Sequence, residues 1–398
     1  MVKRIFFLLV LFLLCTSAYA ADPKLAGVAS AVQTAIDDHD LSGAVTEVVT
    51  KDKVLDLEAI GLANIAEKKP MRKDSLFWLA SMTKPITAVA VLMLQDEGRL
   101  NVTDPVEKYI PQFAALKTPS GQPAHITLEQ MLTHTSGLGE ATQQQLDQAH
   151  TLSDLIPFYL SAPMQYEPGA RWKYTQSGIN VAARVVEIVS GEPFQVFVQK
   201  RILKPLGMKN TTFYLSGKQR ARLVTGYTKD KATGVLTAVP LSSDYGVPGH
   251  PPFGNAGLFS TAPDYAHFAQ MLLGGGMFKG KRYLSADAYR LLTTVQTGDL
   301  PAGFLQTPEY GSRGANYGWG IGVCILRSPH PGVAAMLSPG TFGHGGAWGT
   351  QAWVDPVRGV AYILMVQRAN SGNGDASEIR RSFQQAASDA VARPAQSQ

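Results

Sequence analysis

The chain is 398 residues long and carries 36 basic against 31 acidic side chains, a formal net charge of +5. That small excess, with no block of like charges, argues against nucleic acid as a partner. Of the two cysteines, Cys15 falls in a leader-like segment and Cys324 stands alone, so no internal disulfide is expected and stability must come from a core, which a chain of this length can bury.

Lys3 and Arg4 precede an apolar run over residues 5–14, and Ala18-Tyr19-Ala20 supplies a small-x-small cleavage site. Residues 1–20 therefore read as a Sec-type export signal, which sends the mature chain to the periplasm or outside the cell. The apolar run is too short to span a bilayer, and no later segment reaches that length, so no stable membrane span is expected after cleavage. An amphipathic helix follows at 25–39. Extended runs at 43–50 and 54–62, joined by the polar Lys51-Asp52-Lys53, predict a β-hairpin. A helix opens near Ser81 and is almost continuously apolar over 88–94, a pattern that belongs to a helix buried on all sides. Pro85 is tolerated because it sits in the first turn.

The middle of the chain reads as helices at 128–132, 180–189 and 193–203, and as one more opened by the capping box Thr261-Ala262-Pro263-Asp264 and reaching Leu273. Residues 235–255, rich in Gly, Pro and aromatics, read as a loop over a cleft. Strand character returns at 317–323, 349–354 and 359–367, and an amphipathic helix covers 377–391. Strands at both ends with helices between predict an α+β fold. Residues 21–80 and 310–398 would build one sheet domain, and 81–309 would form a mainly helical insertion.

Three elements carry chemistry. Ser81 and Lys84 stand at i and i+3, which share a helix face, so the amine lies beside the hydroxyl. A serine hydroxyl is a poor nucleophile until a neighbouring base takes its proton. Such a pair arises roughly once by chance in a chain of this size, so its companions decide. These are Tyr174-Thr175-Gln176, just before the helix at 180, and His344-Gly345-Gly346, entering a C-terminal strand whose glycines permit close backbone approach. There is no Gly-x-Ser-x-Gly elbow, no His-Glu-x-x-His metal spacing and no phosphate-binding glycine loop, which leaves a serine hydrolase needing neither metal nor cofactor.

With these motifs stand Leu132-Thr133-His134-Thr135-Ser136-Gly137-Leu138, Pro205-Leu206-Gly207-Met208, Ala256-Gly257-Leu258-Phe259-Ser260-Thr261 and residues 343–356. In this order, over about residues 25–390, the chain resembles the serine β-lactamase and penicillin-binding-protein superfamily. The branch is that of class C β-lactamases, DD-peptidases and family VIII carboxylesterases. The resemblance implies an antiparallel sheet with helices on both faces, an inserted all-α domain, and a site between them. It makes Ser81 the acylated nucleophile and pairs Lys84 with Tyr174 as its base system, the ammonium holding the phenolate. It forms the oxyanion hole from the backbone N–H groups of Ser81 and Ala347. Gln176, His344, Gly345 and Gly346 would touch substrate, Trp348 and Tyr245 would wall an acyl pocket, and His134 would be structural.

Two positions depart from the family pattern. Gln176 stands where an asparagine is common, and His344-Gly345 replaces the lysine and threonine of β-lactamases. The groups that would grip a substrate carboxylate are thus missing, and a small-molecule ester or amide, with a carboxylic ester preferred, is the expected substrate. A class C-like β-lactamase and a D-Ala-D-Ala carboxypeptidase are the alternatives. A non-catalytic penicillin-binding sensor or scaffold would be expected to have lost Ser81, Lys84 or Tyr174, and all three stand.

Overall fold

A computed structural model describes residues 25–241, 245–302, 306–307, 311–312, 316–329, 334–370 and 377–392. The predicted export signal lies outside the described residues. The expected hairpin forms from β1 (Gly43–Val49) and β2 (Val54–Asn64) across the Lys51–Lys53 turn. Every residue of β1 is buried, as befits a strand covered on both faces. The short β3 (Lys69–Pro70) follows. From the far end of the chain come β4 (Tyr317–Trp319), β5 (Cys324–Leu326), β6 (Phe342–Gly345), β7 (Gln351–Asp355) and β8 (Val360–Met365). The sheet runs β4-β5-β6-β7-β8-β1-β2-β3, antiparallel at each step. Its two chain ends join where β1 pairs with β8, with Val45 opposite Met365 and Val49 opposite Ala361.

Side chains alternate across a strand, so β1 serves two cores. Ala44 and Val48 meet α1 (Val28–Asp37) and the C-terminal helix Glu378–Ala392 through Val28, Val32, Ile379 and Phe383. On that helix, buried Arg380 stacks 3.9 Å above the Trp353 ring. Val45 and Val49 point the other way, toward the main core that holds α2 (Lys84–Asp96). The helix Ala262–Leu273 packs on this second face, against β1, β7 and β8. It thus covers the sheet, although it lies within the stretch assigned from sequence to the helical insertion. Glu47 shares that face and is only 2 % exposed. Burial, reinforced by the charges of Asp56 and Asp264, pushes its carboxyl up to about 8.

The strand predicted over 317–323 is instead a hairpin: β4 stops at Trp319 and β5 starts at Cys324. The cause is Gly322 (φ +76°), where a Cβ would stand 2.4 Å from the Ala88 Cβ of α2. The chain turns tightly there because it lies against the buried helix. Within the predicted 235–255 loop, Leu236–Val239 pairs with Gly226–Lys229, and residues from Tyr245 onward reach a cleft. Among the described residues no helix is long and apolar enough to cross a membrane.

Candidate active site

The segment that carries Ser81, the candidate nucleophile, is clamped from the side before any helix begins. Phe77–Trp78 pairs antiparallel with Phe259–Ser260, and the Trp78 indole donates to the Ala256 carbonyl at 2.7 Å. The Leu79 N–H then donates to the Leu258 carbonyl at 2.9 Å. Ala80 has φ +46°, a left-handed value uncommon for a residue with a side chain, and it immediately precedes Ser81. Residues Ala80–Thr83 form a 3₁₀ turn that runs into α2. Three residues per turn stack Lys84 directly over Ser81. Gly346 presses on this segment: a Cβ there would stand 2.1 Å from Thr350 Oγ1 and 2.5 Å from the Leu79 carbonyl oxygen. Its lack of a side chain therefore lets the strand end approach the nucleophile segment rather than a substrate.

Lys84 is fully buried, and its Nζ lies 3.0 Å from Ser81 Oγ. It also donates to Gln176 Oε1 at 2.8 Å and to the Asn255 carbonyl at 3.0 Å. Burial pulls its pKa well below the usual lysine value, and only Glu140 works in the other direction. A neutral amine has two N–H donors and one lone pair. In that neutral form Gln176 and Asn255, which offer only oxygens, take the two donors and leave the lone pair facing the Ser81 hydroxyl. The resemblance expects an ammonium holding a phenolate, and burial works against that ammonium.

Tyr174 lies beside this amine, with Lys84 Nζ 4.6 Å from its ring centre. Its hydroxyl is 3.4 Å from His344 Nε2. His344 Nδ1 is 2.7 Å from the Gly345 carbonyl, which can only accept, so the imidazole proton sits on Nδ1 and Nε2 presents a lone pair to Tyr174. Burial, helped by the charge of Lys84 when it is protonated, brings the His344 pKa down to about 3, so the ring is neutral. His134 supports the same tyrosine from behind. Its Nδ1 accepts the Thr175 N–H at 3.3 Å, its carbonyl accepts the Lys173 N–H at 3.0 Å, and its ring stacks 4.4 Å from that of Tyr174.

These groups open on a cleft of about 460 Å³. Ser81, Tyr174, Gln176, Tyr245 and exposed Ala347 line it. His344, Gly345, Gly346 and Trp348 do not. His344 is buried behind Tyr174, and Trp348 packs edge-on against Trp78 at 5.4 Å and over Gly226. Sequence reasoning missed several residues that do line the cleft. Trp78 and Phe253 flank the expected Tyr245 in a continuous aromatic wall, with ring centres 4.7 Å and 5.4 Å apart. Asn255 holds Gln176 Oε1 through its side-chain amide at 2.8 Å. Glu140 accepts the backbone N–H groups of Gln176 and Ser177 at the start of the helix Ser177–Ser190. Glu140 and Asn255 adjoin the blocks that carry the resemblance, which is the one signal that pointed near them. Among the described residues no group of three His, Cys, Asp or Glu gathers as metal ligands would.

The family model described as Beta-lactamase matches residues 28–387. Protein Rv1367c of Mycobacterium tuberculosis is 33 % identical over 89 % of this chain and 92 % of its own. Esterase EstB of Burkholderia gladioli is 30 % identical over 85 % and 89 %. Among solved structures, EstCE1, a hydrolase with promiscuous acyltransferase activity, superposes with a TM-score of 0.73 at 23 % identity, over 90 % of this chain and 97 % of that one. The chain belongs to the beta-lactamase family of serine hydrolases.

Proposed function

We propose that the protein hydrolyses carboxylic esters through an acyl-enzyme on Ser81. The observation that carries this is the position where β-lactamases carry a lysine: His344 stands there, buried behind Tyr174 and neutral, while Lys84 Nζ lies 3.0 Å from Ser81 Oγ. An ester needs a nucleophile, a base and an oxyanion hole. A β-lactam or a D-Ala-D-Ala peptide also brings a carboxylate, for which the described lining of the cleft offers no free cation. The relative named as an esterase supports the same choice.

In the acylation step Lys84 Nζ takes the Ser81 proton as Oγ attacks the ester carbonyl. The oxyanion is held by the N–H groups of Ser81 and Ala347, donors fixed in place before the charge develops. The C–O bond then breaks, and the alcohol leaves with a proton from the Lys84 ammonium or the Tyr174 hydroxyl. In deacylation the same base takes a proton from water as its oxygen attacks the acyl carbon, then returns that proton to Ser81 Oγ as the acyl–oxygen bond breaks and the carboxylic acid leaves. Tyr174, with its hydroxyl directed to His344 Nε2, can relay a proton without bearing a lasting charge.

The test is hydrolysis of p-nitrophenyl butyrate and nitrocefin side by side, by wild type and Ser81→Ala, with intact-mass analysis. Serine-dependent ester turnover with negligible nitrocefin cleavage is expected. Efficient nitrocefin turnover would reassign the protein as a β-lactamase, and a stable Ser81 adduct without turnover as a penicillin-binding peptidase or sensor. The leader-like first 20 residues support export as part of the proposal, and N-terminal sequencing of the mature protein checks cleavage after Ala20.

A further inference from the structure

Glu140 has no part in the acyl-transfer steps, yet it lines the cleft that Ser81 opens on. Its Oε1 accepts the Gln176 N–H at 2.5 Å and its Oε2 the Ser177 N–H at 3.1 Å, so both oxygens are fixed and each keeps a lone pair. Among the described residues no lysine, arginine or histidine lies within ion-pairing distance of it. Lys84 is engaged by Ser81, Gln176 and Asn255, while Lys173 donates to the side-chain Oε1 of Gln165. Burial raises the Glu140 pKa against the pull of its two N–H donors and of the more distant Lys84 and Lys173 charges, a penalty that a cation placed directly beside it would relieve. Across the same cleft stand the faces and edges of Trp78, Tyr159, Tyr245 and Phe253. A single unpaired carboxylate opposite an aromatic wall is the composition that receives an ammonium group: the ring faces attract positive charge and the carboxylate neutralises it.

We propose that the cleft selects esters bearing a fixed positive charge, an ammonium or quaternary ammonium group, with Glu140 as the counter-ion and the aromatic wall as the cradle. The proposal rests on the esterase reading and narrows its substrate class. A neutral ester must displace water from Glu140 and gains nothing from it, and an anionic ester is repelled. The charge can sit on the acyl or the alcohol side, because both extend from the same reacting carbonyl into one cleft.

The experiment compares esters of matched shape. On the acyl side they are the p-nitrophenyl esters of 4-(trimethylammonio)butanoic acid, its carbon isostere 5,5-dimethylhexanoic acid, and glutaric acid. On the alcohol side they are butyrylcholine and 3,3-dimethylbutyl butyrate. The quantity read is the ratio of kcat/KM for cationic over neutral ester within one enzyme, which cancels losses common to both. In wild type at least one side should give a ratio of about 10 or more, the scale of a cation–aromatic contact combined with a partly exposed ion pair. The glutarate ester should be the poorest of its series. Glu140→Gln, which keeps the shape and one acceptor, should bring the ratio close to unity, whereas a purely helix-capping role would leave it unchanged. Ratios near unity on both sides in wild type, or a ratio that survives Glu140→Gln, would overturn the proposal. Calorimetric binding of the same esters to Ser81→Ala separates it from the reading it rests on. Cation preference in binding without turnover by wild type would sink the esterase alone, and turnover without preference would sink the Glu140 inference alone.

Discussion

Glu47 allows a worked prediction, because its carboxyl is sealed between β1 and the helix Ala262–Leu273 and belongs to no catalytic step. An exposed glutamate releases its proton near 4.5, whereas folded Glu47 holds it up to about 8, chiefly because burial penalises the charge and secondly because Asp56 and Asp264 repel it. Between those values the folded chain binds one proton more than the unfolded chain, so this group's contribution to stability is complete below about 4.5 and is lost as pH rises through about 8. Each pH unit inside the window removes about 1.4 kcal/mol, and the whole window roughly 5 kcal/mol. Glu47→Gln keeps the shape and deletes the titration. Urea unfolding of both proteins at pH 5.5, 7.0 and 8.5 gives the difference in unfolding free energy, in which every other titrating group cancels. That difference should move in favour of the variant by on the order of 3 kcal/mol from pH 5.5 to 8.5. The absolute offset is not the readout, since Glu47 Oε2 has no hydrogen-bond partner and the amide inherits that defect. Parallel stability curves across the range would refute the reasoning.

With Lys84 as the base, kcat/KM for an ester should rise with pH through its lowered pKa and then level; a Lys84→Ala variant that keeps wild-type kcat/KM would remove it from that role. Tyr174→Phe should slow acylation by roughly 10²–10⁴-fold, the value of a positioned proton-transfer group, and single-turnover kinetics with p-nitrophenyl butyrate measure it. Loss of only a few-fold would leave Lys84 as the sole base. Gly346→Ala should destabilise by about 1–3 kcal/mol and reduce turnover together, because the added methyl pushes the Leu79 carbonyl and with it Ser81 away from Ala347. A variant with wild-type melting and wild-type kcat would show that this close approach is not needed.

What was legible in the sequence was what depends on fixed local spacing. The hairpin at 43–64, the buried run of α2 and the Ser81–Lys84 pair each follow from periodicity or from an i, i+3 step. The C-terminal hairpin was misread because Tyr317 to Val323 looks like one apolar run, and only the approach of α2 to Gly322 makes it turn. His344 was placed against substrate because a motif gives order along the chain but not which face of β6 a side chain occupies. The structure turns it inward to Tyr174. Asn255 and Glu140 act through contacts 79 and 36 residues away in sequence, where no local pattern marks them. Motif spacing thus named Ser81, Lys84, Tyr174, Gln176 and Tyr245, which the fold gathers, and left out Asn255 and Glu140 beside them.

The seam between β1 and β8 also sets the order of assembly. Val45 and Met365 are neighbours in the sheet although the chain between them holds nearly all of the helices. Until β8 has been synthesised, β1 is an apolar strand with one edge unpaired, and such edges recruit other chains. Closing so long a loop is slow compared with forming local helices and hairpins, so the helices should form first and wait for the seam. A chain shortened before residue 360 would keep Ser81, Lys84, Tyr174 and His344 and still lack the strand that completes the sheet behind them. Premature truncation near the C-terminus should therefore give aggregation rather than a partly active enzyme.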